Sequence, residues 1–334
     1  MKILLVPVLV AAFAAPAAAQ LEGAFTLGRS DKDPDNRVHL NLVYNDGHSN
    51  YSRMVERSAL TDVVRTGDRI TFALRREPGA FTFEGRGSLD RASGWYGFTG
   101  NPEFRQQLEK LGFREIEAKE LFVFAMDDLT AAKVRQLQQM VSNRLDTPEL
   151  VRLINHGAGF DYVQAMTGLG FKSLTSDDYR RARDHGVSES YVREMAGLGM
   201  KLSFQELIRT RDHGVTPDFV RAMRSAGFQV SHDELVRARD HGVTADYLQR
   251  MGGFGYDKLP LGEYIRMRDH GVTPDYVQSM RELGYTNLSA NDLVRMRDHG
   301  VTANYVKRLK ELLKESPSAE QLIRMRSHGD FGSR

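Results

Sequence analysis

The sequence predicts an α+β chain: a small N-terminal antiparallel β-domain followed by an α-solenoid of 28–29-residue helical hairpin repeats. Three observations carry this expectation. Apolar and polar residues alternate with period two from residue 21 to about 100, as half-buried strands do. Beyond that, the string RDHGV recurs with its histidine at 185, 213, 241, 270 and 299. Each copy also carries its own helix start and stop residues in the same frame, so the repeat is a structural unit and not a chance similarity.

The chain divides on these grounds into residues 1–19, 20–100 and 101–334. In the first segment Lys2 precedes an apolar run over residues 3–15, then Pro16 and three alanines before Gln20. This is the layout of an export signal, with cleavage expected after Ala19. The run is short for a membrane span, so the remainder is expected to be soluble in a periplasmic or secreted setting, with no integral membrane span. Forty-six Lys and Arg against 44 Asp and Glu leave a charge of +2, which offers no field for nucleic acid. Cysteine is absent from the sequence, which excludes disulfides, thiolate chemistry and Cys-ligated metal.

Five short strands are expected in residues 20–100. Residues 23–27 form one, and Val38, Leu40, Leu42 and Tyr44 point inward from the next, which turns at Asn45, Asp46 and Gly47. Ile70, Phe72 and Leu74 mark a third, and Glu77, Pro78 and Gly79 turn it into Phe81 and Phe83. Residues 95–98 complete the set. One face should pack and the other stay wet. The polar stretch 47–66 is expected to be a loop. Phe81, Phe83, Trp95 and Phe98 read together as an aromatic core, with a ligand cup as the alternative.

In the repeats the frame histidines, including His156 and His328, are spaced by 29, 28, 28, 29, 29 and 29 residues. A degenerate copy starts directly after the last strand, with Asn101 and Pro102 standing where Thr273 and Pro274 stand later and Asp127 where histidine belongs. Ser203 with Glu206, Ser231 with Glu234, Ser289 with Asp292 and Thr175 with Asp178 are capping boxes that start a first helix. Gly186, Gly214, Gly242, Gly271 and Gly300 end it in left-handed geometry. Thr216-Pro217 and Thr273-Pro274 start the second helix, which Gly199, Gly227, Gly255 and Gly284 close. Tyr276, Val277, Met280 and Leu283 make its apolar stripe. One hairpin is too small to be stable alone, so neighbouring units must supply the rest.

The motif's polar residues are the candidates for chemistry. Arg297 and its equivalents Arg183, Arg211, Arg239, Arg268 and Arg326 fall on the apolar face, where they should run between helices and pair with an acid such as the RDHG aspartate. His185, His213, His241, His270 and His299 should close their helices through terminal carbonyls or the neighbouring aspartate. Equivalent atoms in stacked helices lie about 8–10 Å apart, too far to share a metal ion. Arg181, Arg209, Arg237, Arg266 and Arg295 form an outward row that could take carboxylates or phosphates. With the five histidines they are the candidate partner-binding residues. Neither a nucleophile–base set nor a phosphate loop emerges, so no catalytic, cofactor-binding or metal residue and no cofactor is assigned.

The strings TFEGRG and SGWYGFTGNPEF, with tandem LSxxDLVRxRDHGVTPDYVxxMRxLGY units, resemble extracytoplasmic regions of bacterial envelope proteins. Among these are relatives of beta-lactam-sensing antirepressor metalloproteases. The protease part is not matched, since HExxH is absent from the sequence. The resemblance implies a sensory or scaffolding module in a bacterial envelope. The expected function is therefore non-enzymatic binding of a protein or peptide along the repeats. Small-molecule or glycan binding by the aromatic β-domain is the first alternative, and an enzyme the second.

Overall fold

The computed structural model describes residues 20–31, 33, 35–44 and 49–327. The expected export signal, the turn at Asn45, Asp46 and Gly47, and His328 lie outside the described residues. Seven strands come first: β1 (Leu21–Arg29), β2 (Arg37–Tyr44), β3 (Ser49–Glu56), β4 (Leu60–Thr66), β5 (Arg69–Arg76), β6 (Gly79–Ser88) and β7 (Arg91–Gly100). They form one antiparallel sheet in the order β3-β2-β1-β7-β6-β5-β4.

Two of these strands correct the sequence expectation. β3 and β4 occupy the stretch expected to be a loop. They are the two edges of the sheet, each with a single neighbour and a largely exposed outer face, so they lack the apolar alternation that marks the central strands. β4 also carries a register shift between Thr61 and Val64, which breaks its period.

Phe25, Phe72 and Phe83 come from β1, β5 and β6, yet their ring centroids lie 4.4–5.5 Å apart. β1 and β5 are three strand spacings apart in the sheet order, about 14 Å if flat. The sheet is therefore curled around its aromatic side. Glycine makes room for this: a Cβ on Gly79 would lie 2.6 Å from the Phe98 ring, and one on Gly23 2.9 Å from that of Tyr96.

The strands end at Gly100 and the first helix begins at Pro102, capped by the Asn101 side chain. The helices of the first half are α1 (Pro102–Lys110), α2 (Ala118–Met126), α3 (Ala131–Met140), α4 (Thr147–Asn155), α5 (Phe160–Gly168) and α6 (Ser176–Asp184). Those that follow are α7 (Glu189–Gly197), α8 (Phe204–Asp212), α9 (Pro217–Ser225), α10 (His232–Asp240), α11 (Ala245–Gly253), α12 (Leu261–Asp269), α13 (Pro274–Glu282), α14 (Ala290–Asp298), α15 (Ala303–Leu313) and α16 (Ala319–Ser327). The chain divides into two units, Met1–Arg183 and Asp184–Arg334.

Within each unit a helix packs against its equivalent in the next hairpin. In the first unit α1 meets α3, α2 meets α4 and α3 meets α5; in the second α7 meets α9, α9 meets α11, α11 meets α13, and α12 meets α14. α2 also lies on the inner face of β6 and β7, where Phe122 packs among Tyr44, Phe81, Tyr96 and Phe98. The local chemistry is the one the sequence encodes. The Ser203, Ser231 and Ser289 boxes close reciprocally. Gly214 has φ +67° and Val215 N–H reaches back to the Thr210 carbonyl, a Schellman closure that keeps each hairpin turn tight. Tyr276, Val277 and Met280 are buried, as the apolar stripe requires.

Candidate interaction surface

The motif residues meet across the junctions between hairpins. The RDHG aspartate faces the histidine of the preceding hairpin. His185 Nδ1 lies 2.6 Å from Asp212, His213 Nδ1 2.5 Å from Asp240, His241 Nδ1 2.7 Å from Asp269, and His270 Nδ1 2.6 Å from Asp298. At the end of the series Ser327 replaces the aspartate and stands 3.0 Å from His299 Nδ1. The couples lie open to solvent, with histidine side chains 38–41% exposed.

A carboxylate accepts and does not donate, so the couple puts the proton on Nδ1. The neutral ring then turns the Nε2 lone pair outward. Among the described residues no hydrogen bond engages Nε2 of these four rings.

Among the described residues Arg211, Arg239, Arg268 and Arg297 form no ion pair with that aspartate, which corrects the expectation. Each guanidinium instead crosses to the preceding hairpin and covers an aromatic ring of its second helix. Arg183 lies 5.3 Å above Tyr162, Arg211 5.2 Å above Tyr191, Arg239 5.4 Å above Phe219, Arg268 5.0 Å above Tyr247, Arg297 5.0 Å above Tyr276 and Arg326 5.1 Å above Tyr305. Arg183 Nε and Arg211 Nε also donate to the carbonyls of Gly157 and Gly186, the left-handed glycines that close the preceding first helices. In these two copies a ring quadrupole and a helix-terminal carbonyl receive the charge, whereas Nε of Arg239, Arg268 and Arg297 is buried without a hydrogen-bond partner among the described residues and the guanidinium rests on its ring.

The covered ring ties the junction in the other direction. The hydroxyls of Tyr191, Tyr247 and Tyr276 donate to the carbonyls of Val215, Val272 and Val301 in the following hairpin, at 3.0–3.2 Å. Burial pushes the Tyr276 hydroxyl up to about 12. At Phe219 this bond has no donor.

The outward arginine row is partly engaged by the following hairpin. Arg209 binds Asp233 at 2.7 Å and Arg295 binds Glu320 at 2.7 Å, whereas Arg266 binds Glu263 of its own helix at 3.0 Å and reaches Asn291 of the following hairpin at 3.5 Å. Among the described residues Arg181 and Arg237 have no ion-pair partner, and both are exposed. A groove of about 380 Å³ opens beside Phe254, Tyr256, Arg281 and Asn287. Its Arg281 already covers Phe254 and donates to the Phe254 and Thr286 carbonyls.

Asp127, at the histidine position of the degenerate copy, behaves differently. It caps the end of α2 against β3, 3.6 Å from Arg53, and a Cβ on Gly159 would lie 2.6 Å from its Oδ2. Burial raises its carboxyl from 3.8 to about 6, the Arg53 charge pulling down and Asp161 pushing up.

The aromatic set expected to act together is split. Phe81, Phe83 and Phe98 are core, whereas Trp95 stands on the opposite face, 72% exposed. Strand parity carries this difference: Trp95 is one step out of phase with Tyr96 and Phe98. Among the described residues no three His, Cys, Asp or Glu side chains converge as metal ligands, and no helix is long and apolar enough to cross a membrane. No family model matches the chain, and no curated protein matches it.

Proposed function

We propose that the chain is an exported, non-enzymatic scaffold that binds a protein or peptide of the cell envelope along its helical repeats, in a sensory or scaffolding role. The observation that carries this reading is the row of histidines held by the next hairpin's aspartate. Each ring is fixed in orientation and leaves its Nε2 edge on the surface, once per repeat, and the same unit carries the exposed Arg237, which among the described residues is held in no ion pair. Identical groups at a regular spacing suit an extended partner. Catalysis asks for the opposite arrangement, unlike groups converging within hydrogen-bond reach.

The test compares the full chain with the Arg237→Glu variant and with a triple variant carrying Arg209→Glu, Arg237→Glu and Arg266→Glu. Partners crosslinked in envelope extract should be the same set in repeated captures, and their retention should fall stepwise across the two variants at unchanged melting temperature for Arg237→Glu. Equal retention by all three proteins overturns the reading. The Arg237→Glu variant carries the weight, because Arg209 and Arg266 also help hold neighbouring hairpins together.

A further inference from the structure

The face of the sheet turned away from α2 carries one large aromatic residue. Trp95 sits on β7, the fourth of seven strands, directly opposite Ala24 on β1 and Glu84 on β6. Ala24 in turn faces Val43 on β2. The same-face neighbours of Trp95 along its own strand are Ser93 and Gly97. Small residues flank the indole along its own strand and on β1, Glu84 lies opposite on β6, and the ring stands clear at 72% exposure. The other exposed large apolar residues, Met54, Val63, Val64 and Leu312, are on the two edge strands or at a helix end. A tryptophan at the centre of an otherwise small and polar surface is a different case from those single residues.

Polar groups flank the apolar strip. Ser93, Thr26, Asn41 and Ser52 form the next row across four strands. Most charges on this face are paired with one another: Arg69 with Glu84 at 2.5 Å, Arg37 with Glu56 at 2.6 Å, Arg86 with Asp68 at 3.6 Å, and Arg75 with Asp62. Arg91, four residues along β7 from Trp95, and Glu22 on β1 are exposed and stand outside these pairs. The face thus presents a flat aromatic ring, hydroxyl and amide groups, mostly paired charges, and one cation and one anion outside those pairs, Arg91 and Glu22.

These features select a ligand class. β7 is bonded to a strand on each side, so a peptide cannot add to it as a further strand and must be met through side chains alone. The Trp95–Ala24–Val43 strip spans two strand spacings, about 10 Å, so even a square of that side, about 100 Å², is far below the roughly 800 Å² per partner of a stable protein interface. Anionic lipid or phosphate would need a cluster of unpaired basic groups, and Arg91 stands alone, four residues along the strand from Trp95. A sugar ring needs what is present: its C–H face lies on an indole, and its hydroxyls reach Ser, Thr and Asn. We infer that the outer face around Trp95 binds a neutral oligosaccharide, stacking one ring on the indole. This site is separate from the repeat surface and does not depend on the proposed protein partner.

Trp95 is the sole tryptophan in the sequence, so its emission reports this site alone. The full chain is titrated with chitotetraose and, separately, with cellotetraose. A saturable shift in emission with at least one of them is the expected result. In affinity electrophoresis through a neutral polysaccharide gel, Trp95→Ala should weaken retention about tenfold or more, Trp95→Phe should keep part of it, and the melting temperature should stay unchanged in both. Arg237→Glu should leave sugar binding intact, which separates this inference from the repeat-surface reading. Unchanged emission with both sugars up to millimolar concentration overturns it. So does equal retention of Trp95→Ala, or an emission shift that follows protein concentration alone and marks a contact between copies of the chain.

Discussion

Replacing Tyr276 with phenylalanine isolates one bond that joins two hairpins. The ring is 8% exposed and its hydroxyl donates to the Val301 carbonyl at 3.0 Å. Phenylalanine keeps the ring under Arg297 and removes only the oxygen, so burial and the cation–π contact are nearly conserved. A neutral hydrogen bond contributes about 0.5–1.5 kcal/mol, and the orphaned carbonyl places the cost toward the upper half of that range, about 1 kcal/mol. The repeat supplies its own converse. Phe219 occupies the same position under Arg239, two hairpins earlier, and Val243 there has no such donor. Phe219→Tyr should therefore stabilise by about 0.5–1 kcal/mol. Urea and thermal unfolding of the full chain measure both, with about 2–4 °C per kcal/mol in a chain segment of this size. Hydrogen exchange should localise the loss to α13 and α14. A silent Tyr276→Phe together with a neutral or destabilising Phe219→Tyr would refute the assignment of the tyrosine as a junction pin.

Three further outcomes follow from the same geometry. Asp127 is protonated more readily folded than unfolded, so the stability it contributes is fully present below pH 3.8 and is lost as pH rises through about 6; the swing is about 2–3 kcal/mol, and Asp127→Asn should flatten it in unfolding measured across the acid range. Gly242→Ala should cost about 1–2 kcal/mol, because its φ is +72° and an added Cβ would lie 3.0 Å from Arg268 Nη2. Gly253→Ala, inside α11 with no atom within 4 Å of an added Cβ, should instead stabilise by about 0.5–1 kcal/mol; parallel melts of the two variants decide. A double-mutant cycle on His213→Ala and Asp240→Ala should return a coupling of about 0.5–1 kcal/mol. The single Asp240→Ala should be milder than that, since it also removes an acid from the last turn of a helix, where the dipole disfavours it.

What could be read directly from the sequence was local. Ser203 and Glu206 lie within one turn, and Gly214 and Thr216 adjoin the helices they end and begin, so their chemistry needs no knowledge of the neighbours. What the sequence left open was nonlocal. The aspartate at 240 is adjacent to the histidine at 241, yet it bonds the histidine at 213, and a strict repeat shows the same spacing for either choice. The partner of Arg268 was open for the same reason: an acid was the obvious candidate, but the ring of Tyr247 in the preceding hairpin lies closer to its path. Edge strands β3 and β4 escaped because a strand with one neighbour and a polar outer face has no period to display. Trp95 was the exception, a nonlocal fact written in local parity, since inward positions on its strand are the even-numbered ones.

The motif can be divided by what its members still offer once the hairpins are joined. The arginine before the aspartate is covered by its ring contact, the aspartate is taken by a histidine, and the glycine serves a backbone angle that other residues rarely adopt. Mutating any of these tests stability before it tests recognition. The histidine differs, because only one of its two nitrogens is engaged at the junction. Its free edge is an acceptor in the neutral ring, so a partner that reads this row offers it a donor once per repeat. Partner retention should therefore fall in His213→Ala as well as in Arg237→Glu, and measuring retention for the two single variants and their combination separates the two rows. Retention unchanged by removing His185, His213, His241 and His270 together would assign recognition to the arginines and leave the histidines a purely structural role.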